Sequence, residues 1–456
     1  MKKNEIVILD NAGSAYLSGV KAAVTVTPAR DMFAEPESKP IPFRIKDKQY
    51  RGAVPWGQYN DLPAQIIKKV ESNPVMSSGM LFNIEMGYGT GIVAGRWSHV
   101  EGKDIFTPEL EDENVNTFFE ENDINMYLLE QLTDMNFFFN IFPEIILNKE
   151  NKPKIVQLSS KEASFSRWEE MNDMGIIENH FYSAYWSPNK PELTDATPVL
   201  NRHMPLRDLR VRMGLQKDYN GKMVESPKDY RFIIPVSFPT PGRSYYQKPY
   251  WLSIIQSGWY DYAQKIPEFK NALMDNQMSI KYHVELASDY FDSIFKDEGI
   301  TTDEAKRARI KKEYGDLNKF LSGTKNTGKS VISFVRYAPD GKEMRRMKIT
   351  VIEATKQGGE YLDDSEEASN IMSYGMGVHP SLIGSSPGKS KTINGTEARE
   401  LFIIKQALLK PFRDRLLMPL YLIRNFNEWD KTLSFHIPNM QLTTLDKGTG
   451  SEKVVS

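Results

Sequence analysis

The sequence predicts an α+β fold, and two patterns along the chain carry that prediction. Between residues 137 and 250, short apolar runs alternate with turns and prolines, which is typical of strands and loops. From residue 251 onward, apolar residues recur every three or four positions, which is typical of amphipathic helices. We therefore expect both helices and strands, with a loop-rich β region before residue 251 and mainly helices after it.

Length, charge and cysteine content exclude several classes of protein. The 456 residues allow about two to four domains. The net charge of −2 leaves no basic surplus for tight binding to nucleic acid or to an anionic membrane surface. The chain has no cysteine, which excludes disulfides, thiolate metal sites and a cysteine nucleophile. The most apolar stretch, 137–147, is interrupted by Asn140, Pro143 and Glu144, so we expect a soluble, unexported protein.

Three helices are expected in the first third of the chain, after an extended arm over residues 1–50. Asp61 as a cap and Pro63 in the first turn mark the first helix, which should end near Pro74. The second should run from about Ser77 to the glycines at 87, 89 and 91. The third should run over 124–136, and its apolar face should contain Met126, Leu129 and Leu132.

The remaining elements follow from periodicity, prolines and turn residues. We expect first strands over 137–147 and 154–158, a loop-rich β region over 175–250, and a helical segment over 251–278 in which Pro267 bends the helix or begins a second one. These are followed by a strand over 281–286, a helix over 303–321, a hairpin of 331–335 with 347–352, and a helix over 360–376. The last elements are a flexible loop over 384–395, a helix over 396–429 that is broken or bent at Pro411 and Pro419, and a strand from Leu433.

Residues 323–330, Gly-Thr-Lys-Asn-Thr-Gly-Lys-Ser, match the phosphate-loop pattern G-x-x-x-x-G-K-[ST] at every position. Such a loop binds phosphate because a strand leads into a turn of N–H groups that opens a helix. Here the order is reversed, because a predicted helix ends at Leu321 and the β-branched pair Val331-Ile332 follows. We interpret the segment as a glycine-rich turn between a helix and a strand.

Gly87-Tyr88-Gly89-Thr90-Gly91 similarly invites a dinucleotide-binding interpretation, which needs a strand before the glycines and a helix after them. The predicted order is again the reverse, so we expect a helix C-cap. The six histidines are never within four positions of one another, and His379, before Pro380, is interpreted as a cap or packing residue. We expect no catalytic residue, metal or cofactor, although a triad assembled across the fold stays open.

The segment 369–384, Ser-Asn-Ile-Met-Ser-Tyr-Gly-Met-Gly-Val-His-Pro-Ser-Leu-Ile-Gly, resembles the end of a stem helix in the portal (head–tail connector) proteins of tailed bacteriophages. That family has a phrase similar to G-V-P-P-x-L-L-G, and here His379 replaces the first proline and Ile383 replaces a leucine. Residues 392–397 and 408–411 are similar to its T-x-S-N-x-E and L-x-P phrases, 323–329 to a turn in its clip, and 56–63 and 81–92 to the start of its wing.

The resemblance, which covers 50–430 in order, implies a portal fold with a reduced or absent crown. Carried over by position, its parts are a wing over 1–249 with the N-terminal arm to about 50, stem helix 1 over 250–278, a clip over 279–358, stem helix 2 over 359–383, a tunnel loop over 384–395, a long bent wing helix over 396–430, and a C-terminal strand and tail over 431–456.

The resemblance also implies a function. Portal proteins form a homo-oligomeric ring of twelve subunits at one capsid vertex, and double-stranded DNA passes through the central channel during packaging and ejection. The implied partners are the major capsid protein, the terminase motor and a head–tail adaptor, and the implied location is the virion, after assembly in the host cytoplasm. The resemblance implies neither enzymatic activity nor a membrane.

The tunnel loop is the implied DNA-facing site, with Lys389, Ser390, Lys391, Thr392 and Asn394. A channel through which DNA slides should bind it weakly, because each neutralised phosphate adds affinity. The slightly acidic chain suits that requirement, and the two lysines would add a small basic ring. The alternative is an ordinary solvated loop.

Two other functions remain as alternatives. Another ring-forming head–tail component, such as an adaptor, is less consistent with 456 residues, because adaptors are usually shorter. A P-loop nucleotide hydrolase is disfavoured by the reversed order of elements around 323–330.

Overall fold

The computed structural model describes most of the chain, and its residues divide into two compact units. One unit comprises 1–257, 370–386 and 390–456, and the other comprises 258–369 and 387–389. The described residues are 6–8, 14–17, 22–25, 43–45, 48–108, 112–186, 194–277, 282–287, 289–322, 336–337, 343–344, 347–351, 360–383 and 395–440. Both helices and strands are present, which confirms the predicted mixed fold class.

The α-helices are α1 (Leu62–Glu71), α2 (Pro74–Tyr88), α3 (Glu113–Glu121), α4 (Ile124–Phe138), α5 (Pro205–Arg212), α6 (Ser253–Gln256), α7 (Trp259–Gln277), α8 (Tyr290–Asp297), α9 (Asp303–Ser322), α10 (Glu360–Gly375), α11 (Gly395–Leu408) and α12 (Lys410–Phe426). No described helix is both long enough and apolar enough to cross a membrane.

The strands are β1 (Ile6–Ile8), β2 (Ser14–Leu17), β3 (Ala22–Thr25), β4 (Phe43–Ile45), β5 (Lys48–Tyr50), β6 (Val93–Val100), β7 (Lys103–Pro108), β8 (Asn140–Leu147), β9 (Ile155–Lys161), β10 (Ser166–Trp168), β11 (Asn179–Tyr182), β12 (Asp195–Pro198), β13 (Arg231–Ile233), β14 (Val236–Ser237), β15 (Tyr282–Leu286), β16 (Arg336–Tyr337), β17 (Glu343–Met344), β18 (Met347–Val351) and β19 (Leu433–His436). All strand pairs in the described residues are antiparallel.

The core of the first unit is built around β8, which is buried over almost its whole length. β8 pairs with β9, β13 and β14, and it packs against a second sheet of order β10-β11-β12. Phe142 of β8 contacts the rings of Trp168 and His180 in that sheet, with centroids 4.6 and 5.1 Å away. A strand covered on both faces has to be apolar on both faces, which explains why its sequence does not alternate.

The turn before α1 is held by Arg167, which is 2% exposed. Its Nε and Nη2 donate to the Oδ1 and the carbonyl oxygen of Asn60 at 2.5 and 2.8 Å, and its guanidinium lies 5.6 Å from the centroid of the Trp56 ring. Pro63 lies in the first turn of α1, as predicted, but Asp61 makes no capping hydrogen bond. Asp61 thus occupies the predicted N-cap position of α1, and the predicted capping by its side chain is wrong.

The predicted buried face of α4 is wrong in two of its three residues. Met126 is 50% exposed and Leu129 is 39% exposed, whereas Leu132 is fully buried. The helix packs against α2 on one side and against β8 and β9 on another, which buries a set of residues offset from the predicted stripe. That set is Ile124, Tyr127, Leu128, Gln131, Leu132, Met135 and Phe138.

Three further expectations are corrected. α5 lies inside the region predicted to be β and loop, because Pro205 fits the first turn of a helix. The predicted helix over 251–278 is interrupted at Gly258, whose φ is 85°, between α6 and α7. β18 pairs with β15, whereas its predicted partner, 331–335, lies outside the described residues.

In the second unit, α8 and α9 are joined by a charged network that the sequence did not reveal. The Nε of Arg309 donates to Glu298 at 2.9 Å, and its Nη1 donates to Glu313 at 2.6 Å. The hydroxyl of Tyr290 also donates to Glu313, at 2.9 Å. These bonds hold the Arg309 pKa above its ordinary value.

Candidate functional site

The C-terminal half of α10 packs against α2, which fixes the point where the chain leaves α10. Met372 of α10 and Met376, which directly follows α10, are buried, and the Nδ2 of Asn83 donates to the carbonyl oxygen of Met376 at 3.0 Å. Gly79 permits this close approach, because a Cβ atom there would lie 3.3 Å from the Met376 side chain. The last turn of α10 is therefore held in place by α2.

α10 ends in a turn that leads into a short 3-10 helix, Pro380–Leu382. Gly377 has a φ of 66°, and the N–H of Val378 donates back into the last turn of α10 at 3.0 Å. A left-handed glycine is typical of such a helix end. The Nδ1 of His379 accepts a hydrogen bond from the N–H of Ser381 at 3.3 Å, which confirms the prediction that His379 is a cap.

Lys405 joins α11 to this turn. Its Nζ donates to the carbonyl oxygen of Gly377 at 2.9 Å, and burial lowers the pKa of the ammonium group. A cation suits the position, because the carbonyl groups at the C-terminus of a helix carry partial negative charge. The chain leaves the described residues at Ile383 and re-enters them at Gly395, so this bond connects the two flanks of 384–394.

Arg413, in the first turn of α12, joins three parts of the first unit and is 6% exposed. Its Nε and Nη2 donate to the carbonyl oxygens of Gly87 and Met86 at 3.1 and 2.8 Å. Its Nη1 donates to the carbonyl oxygen of Ile437 at 3.2 Å and to the Oδ1 of Asn439 at 2.6 Å. Carbonyl groups in the last turn of a helix have no partner within it. Arg413 supplies those partners for α2 and so fixes α12 against its end.

The glycines at 87, 89 and 91 allow this packing. A Cβ atom at Gly89 would lie 2.4 Å from the carbonyl oxygen of Pro438, and one at Gly87 would lie 2.6 Å from the Cδ2 of Leu132. Gly89 and Gly91 have φ angles of 55° and 90°. Since α2 precedes the glycines and β6 follows them, the predicted helix C-cap is confirmed, and the order is the reverse of a dinucleotide-binding turn.

Sequence reasoning missed Arg413 and Lys405, although one signal for Arg413 was present. Leu409, Arg413, Leu416 and Leu420 are spaced four, three and four apart, so the arginine lies on the apolar stripe of its helix. A charge on such a stripe indicates a buried residue with specific partners. Lys405 has no comparable signal.

The predicted DNA-facing residues, Lys389, Ser390, Lys391, Thr392 and Asn394, lie outside the described residues, as does the phosphate-loop pattern at 323–330. The two described flanks of the predicted tunnel loop are joined by the hydrogen bond from Lys405 to Gly377. Within the part of the chain that the structure describes, no three His, Asp or Glu side chains form a group that could hold a metal ion.

The fold is similar to that of chains in three solved structures, although no protein-family profile and no curated protein matches the sequence. One is the neck of an empty GTA particle computed with C6 symmetry, with a TM-score of 0.51, 13% identity, and coverage of 82% of this chain and 83% of that chain. Another is the virion of a native gene transfer agent (GTA) particle, with a TM-score of 0.51, 12% identity and 82% coverage of both chains.

The third is the neck of a native GTA particle computed with C12 symmetry, with a TM-score of 0.50, 12% identity and 82% coverage of both chains. At this level of identity the likeness shows a shared fold, and it extends over most of the chain. The chain therefore has the fold of a component of such particles.

Proposed function

We propose that this protein is a portal protein, which forms a ring at one capsid vertex and a channel for double-stranded DNA. The observation that carries the proposal is the shared fold with chains of GTA particles, among them a neck computed with C12 symmetry. The sequence resemblance to portal proteins supports it independently, because its phrases occur in the family's order over residues 50–430. The ring has twelve subunits in this proposal.

The described residues support a specific role for the segment 384–394. Its flanks lie on helices that are packed together and joined by the bond from Lys405 to Gly377. A functional loop on a rigid support is common, because the support fixes the position of the loop while the loop varies. We assign residues 384–395 as the tunnel loop, with Lys389 and Lys391 facing the DNA.

The proposed partners are the major capsid protein, the terminase motor and a head–tail adaptor. The clip over 279–358 is the proposed docking surface for the adaptor or the motor. The protein itself is not an enzyme in this proposal and works as a conduit. Its place is the virion, at the capsid vertex.

Electron microscopy of the purified protein tests the proposal. Rings with a central hole are expected, and co-expression with the capsid protein should yield shells that carry one ring at a single vertex. A protein that stays monomeric at every concentration contradicts the proposal. Rings that attach only to completed heads would favour the alternative, an adaptor.

A further inference from the structure

The outward side of the C-terminal half of α11 is apolar, which is unusual for a helix on the surface of a protein. Ile403 and Ile404 are each 56% exposed, and Leu408 is 71% exposed. The inward side is occupied by Gln406, which is buried and donates to the carbonyl oxygen of Met440 at 2.9 Å, and by Lys405. We call Ile403, Ile404 and Leu408 the α11 patch.

Helices at a protein surface normally carry polar residues on the outward side, and helices that are apolar on all sides are normally buried. Contiguous exposed apolar residues mark interaction surfaces. The α11 patch is therefore expected to be covered in the assembled protein.

A second exposed apolar cluster lies over α5. Met204 is 53% exposed, Leu215 is 42% exposed and Tyr219 is 78% exposed. The cluster is ordered, because the hydroxyl of Tyr219 lies 3.2 Å from the Sδ of Met204 and the guanidinium of Arg207 lies 4.2 Å from the centroid of the Tyr219 ring. We call Met204, Leu215 and Tyr219 the α5 patch.

The two patches lie at opposite ends of α12. The α11 patch ends at Leu408, two residues before α12 begins, whereas α5 meets the other end, where the Nη2 of Arg210 donates to the carbonyl oxygen of Asn425 at 2.9 Å. A helix of 17 residues is about 25 Å long. The patches are thus separated along the subunit, as the two sides of a head-to-tail contact require.

The charges beside the patches are complementary. Glu397 and Glu400 are exposed on α11, and Lys217 and Lys222 are exposed beside the α5 patch. Complementary charge favours one docking orientation over others. If two α11 patches faced each other, or two α5 patches did, side chains of like charge would be brought together.

We propose that the α11 patch of one subunit packs against the α5 patch of a second copy of this chain, as a repeated contact around the ring. This proposal rests on the ring-forming function proposed above and adds the surfaces that form it. A head-to-tail contact between different patches forms a ring when the rotation between neighbouring subunits closes, whereas a contact between identical patches stops at a dimer.

The first test compares the wild-type protein with the double variant Ile404→Glu, Leu408→Glu by electron microscopy and light scattering. The variant should lose rings and remain folded by circular dichroism. Met126→Glu is the matched control, because Met126 is a half-exposed apolar residue on another helix of the same unit, and it should still form rings. Leu215→Glu should reproduce the loss from the other side of the contact.

The second test uses the absence of cysteine in the chain. In Leu408→Cys with Leu215→Cys, a short bismaleimide reagent should give a ladder of cross-linked species beyond the dimer, and each single variant should give none. This result does not depend on whether the glutamate variants fold.

The outcomes separate this inference from the proposed function. Wild-type rings with rings also in Ile404→Glu, Leu408→Glu and no cross-linked ladder would overturn the contact and leave the portal proposal standing. The α11 patch would then be covered by another part of its own chain or by another protein. A wild-type protein that never forms rings would overturn both.

Discussion

The guanidinium of Arg413 donates to the carbonyl oxygen of Met86 at 2.8 Å, across 326 intervening residues of the chain. The bond closes the last turn of α2 with the first turn of α12, and burial lowers the Arg413 pKa, which is consistent with a cation held mainly by neutral carbonyl groups. The base of the proposed tunnel loop is thereby tied to the core of the first unit.

Replacing Arg413 should destabilise the first unit. Arg413→Met removes four hydrogen bonds and leaves the carbonyl oxygens of Met86, Gly87 and Ile437 without this donor. Unsatisfied buried groups cost roughly 1–3 kcal/mol each, so a total of about 3 kcal/mol is expected. Urea unfolding followed by tryptophan fluorescence measures it. Lys410→Met, at a side chain that is 77% exposed, is the control and should change stability by less than about 0.5 kcal/mol. Equal losses of stability in Arg413→Met and Lys410→Met would contradict the role of Arg413 in holding α2 and α12 together.

Two glycines with positive φ should respond differently to alanine. Gly89 has a φ of 55° and would place a Cβ atom 2.4 Å from a backbone oxygen, whereas Gly102 has a φ of 78° and open space around it. Both variants incur the backbone strain of a positive φ, which costs roughly 1–3 kcal/mol. Gly89→Ala should lower the melting temperature much more than Gly102→Ala, because only at Gly89 must the backbone also move. Similar melting temperatures would argue against the close packing of α2 on the segment after β19.

Stability at mild acidity should depend on His180. His180 is 1% exposed, and neither ring nitrogen has a hydrogen-bond partner among the described residues. Burial lowers its pKa to about 3, with a further contribution from nearby cations, first Lys161 and Arg231. Because the unfolded chain binds the proton at a higher pH, stability is lost as pH falls from about 6.5 toward 3, by about 1.4 kcal/mol per pH unit.

His180→Phe should therefore melt at a higher temperature than wild type, by a margin that grows from pH 7.5 to pH 5. Asp134 titrates in the opposite sense, since burial raises its pKa to about 7, but it is present in both proteins and cancels in the difference. Met174→Phe, at an apolar side chain that is 78% exposed and carries no titratable group, is the control, and its margin should stay constant. A constant margin for His180→Phe would contradict a buried neutral imidazole.

The lysines of the proposed tunnel loop should act on DNA and not on assembly. The double variant Lys389→Ala, Lys391→Ala should form normal rings and alter DNA packaging or retention, with an effect that shrinks as salt rises. The reason is that charge interactions are screened over about 8 Å at physiological salt. Packaging assays over a range of salt concentrations measure it. Loss of rings would show a structural role, and normal packaging at every salt concentration would place these lysines away from DNA.

The phosphate-loop pattern should be inactive. We expect no ATP hydrolysis above background by the purified protein, because α9 runs into residue 322 and a helix, not a strand, therefore precedes 323–330. A hydrolysis rate that disappears in Lys329→Ala would contradict this expectation and favour the nucleotide hydrolase.

Local sequence predicted several helix starts and strand positions in the first unit, although it did not predict α3 or β7. Pro63 lies in the first turn of α1, Pro411 in the first turn of α12, and the apolar run before residue 147 forms β8. These signals work because prolines, caps and turn residues act on the backbone within a few residues. Segments with competing signals were misjudged, as at α5, where the density of prolines suggested only strands and loops.

Only the tertiary structure decided which side chains are buried and which residues contact each other across the fold. The local pattern of α4 fits more than one apolar stripe, and the positions of α2, β8 and β9 left Met126 and Leu129 exposed. Similarly, the bonds of Arg413 to α2 and of Lys405 to Gly377 join residues far apart in sequence. Burial and long-range hydrogen bonds depend on how elements pack, and packing is set by surfaces that no short stretch of sequence contains. Local signals in the sequence determined where some elements lie, such as the start of α1 and the position of β8, and packing determined which faces of the elements are buried and which are left for a partner.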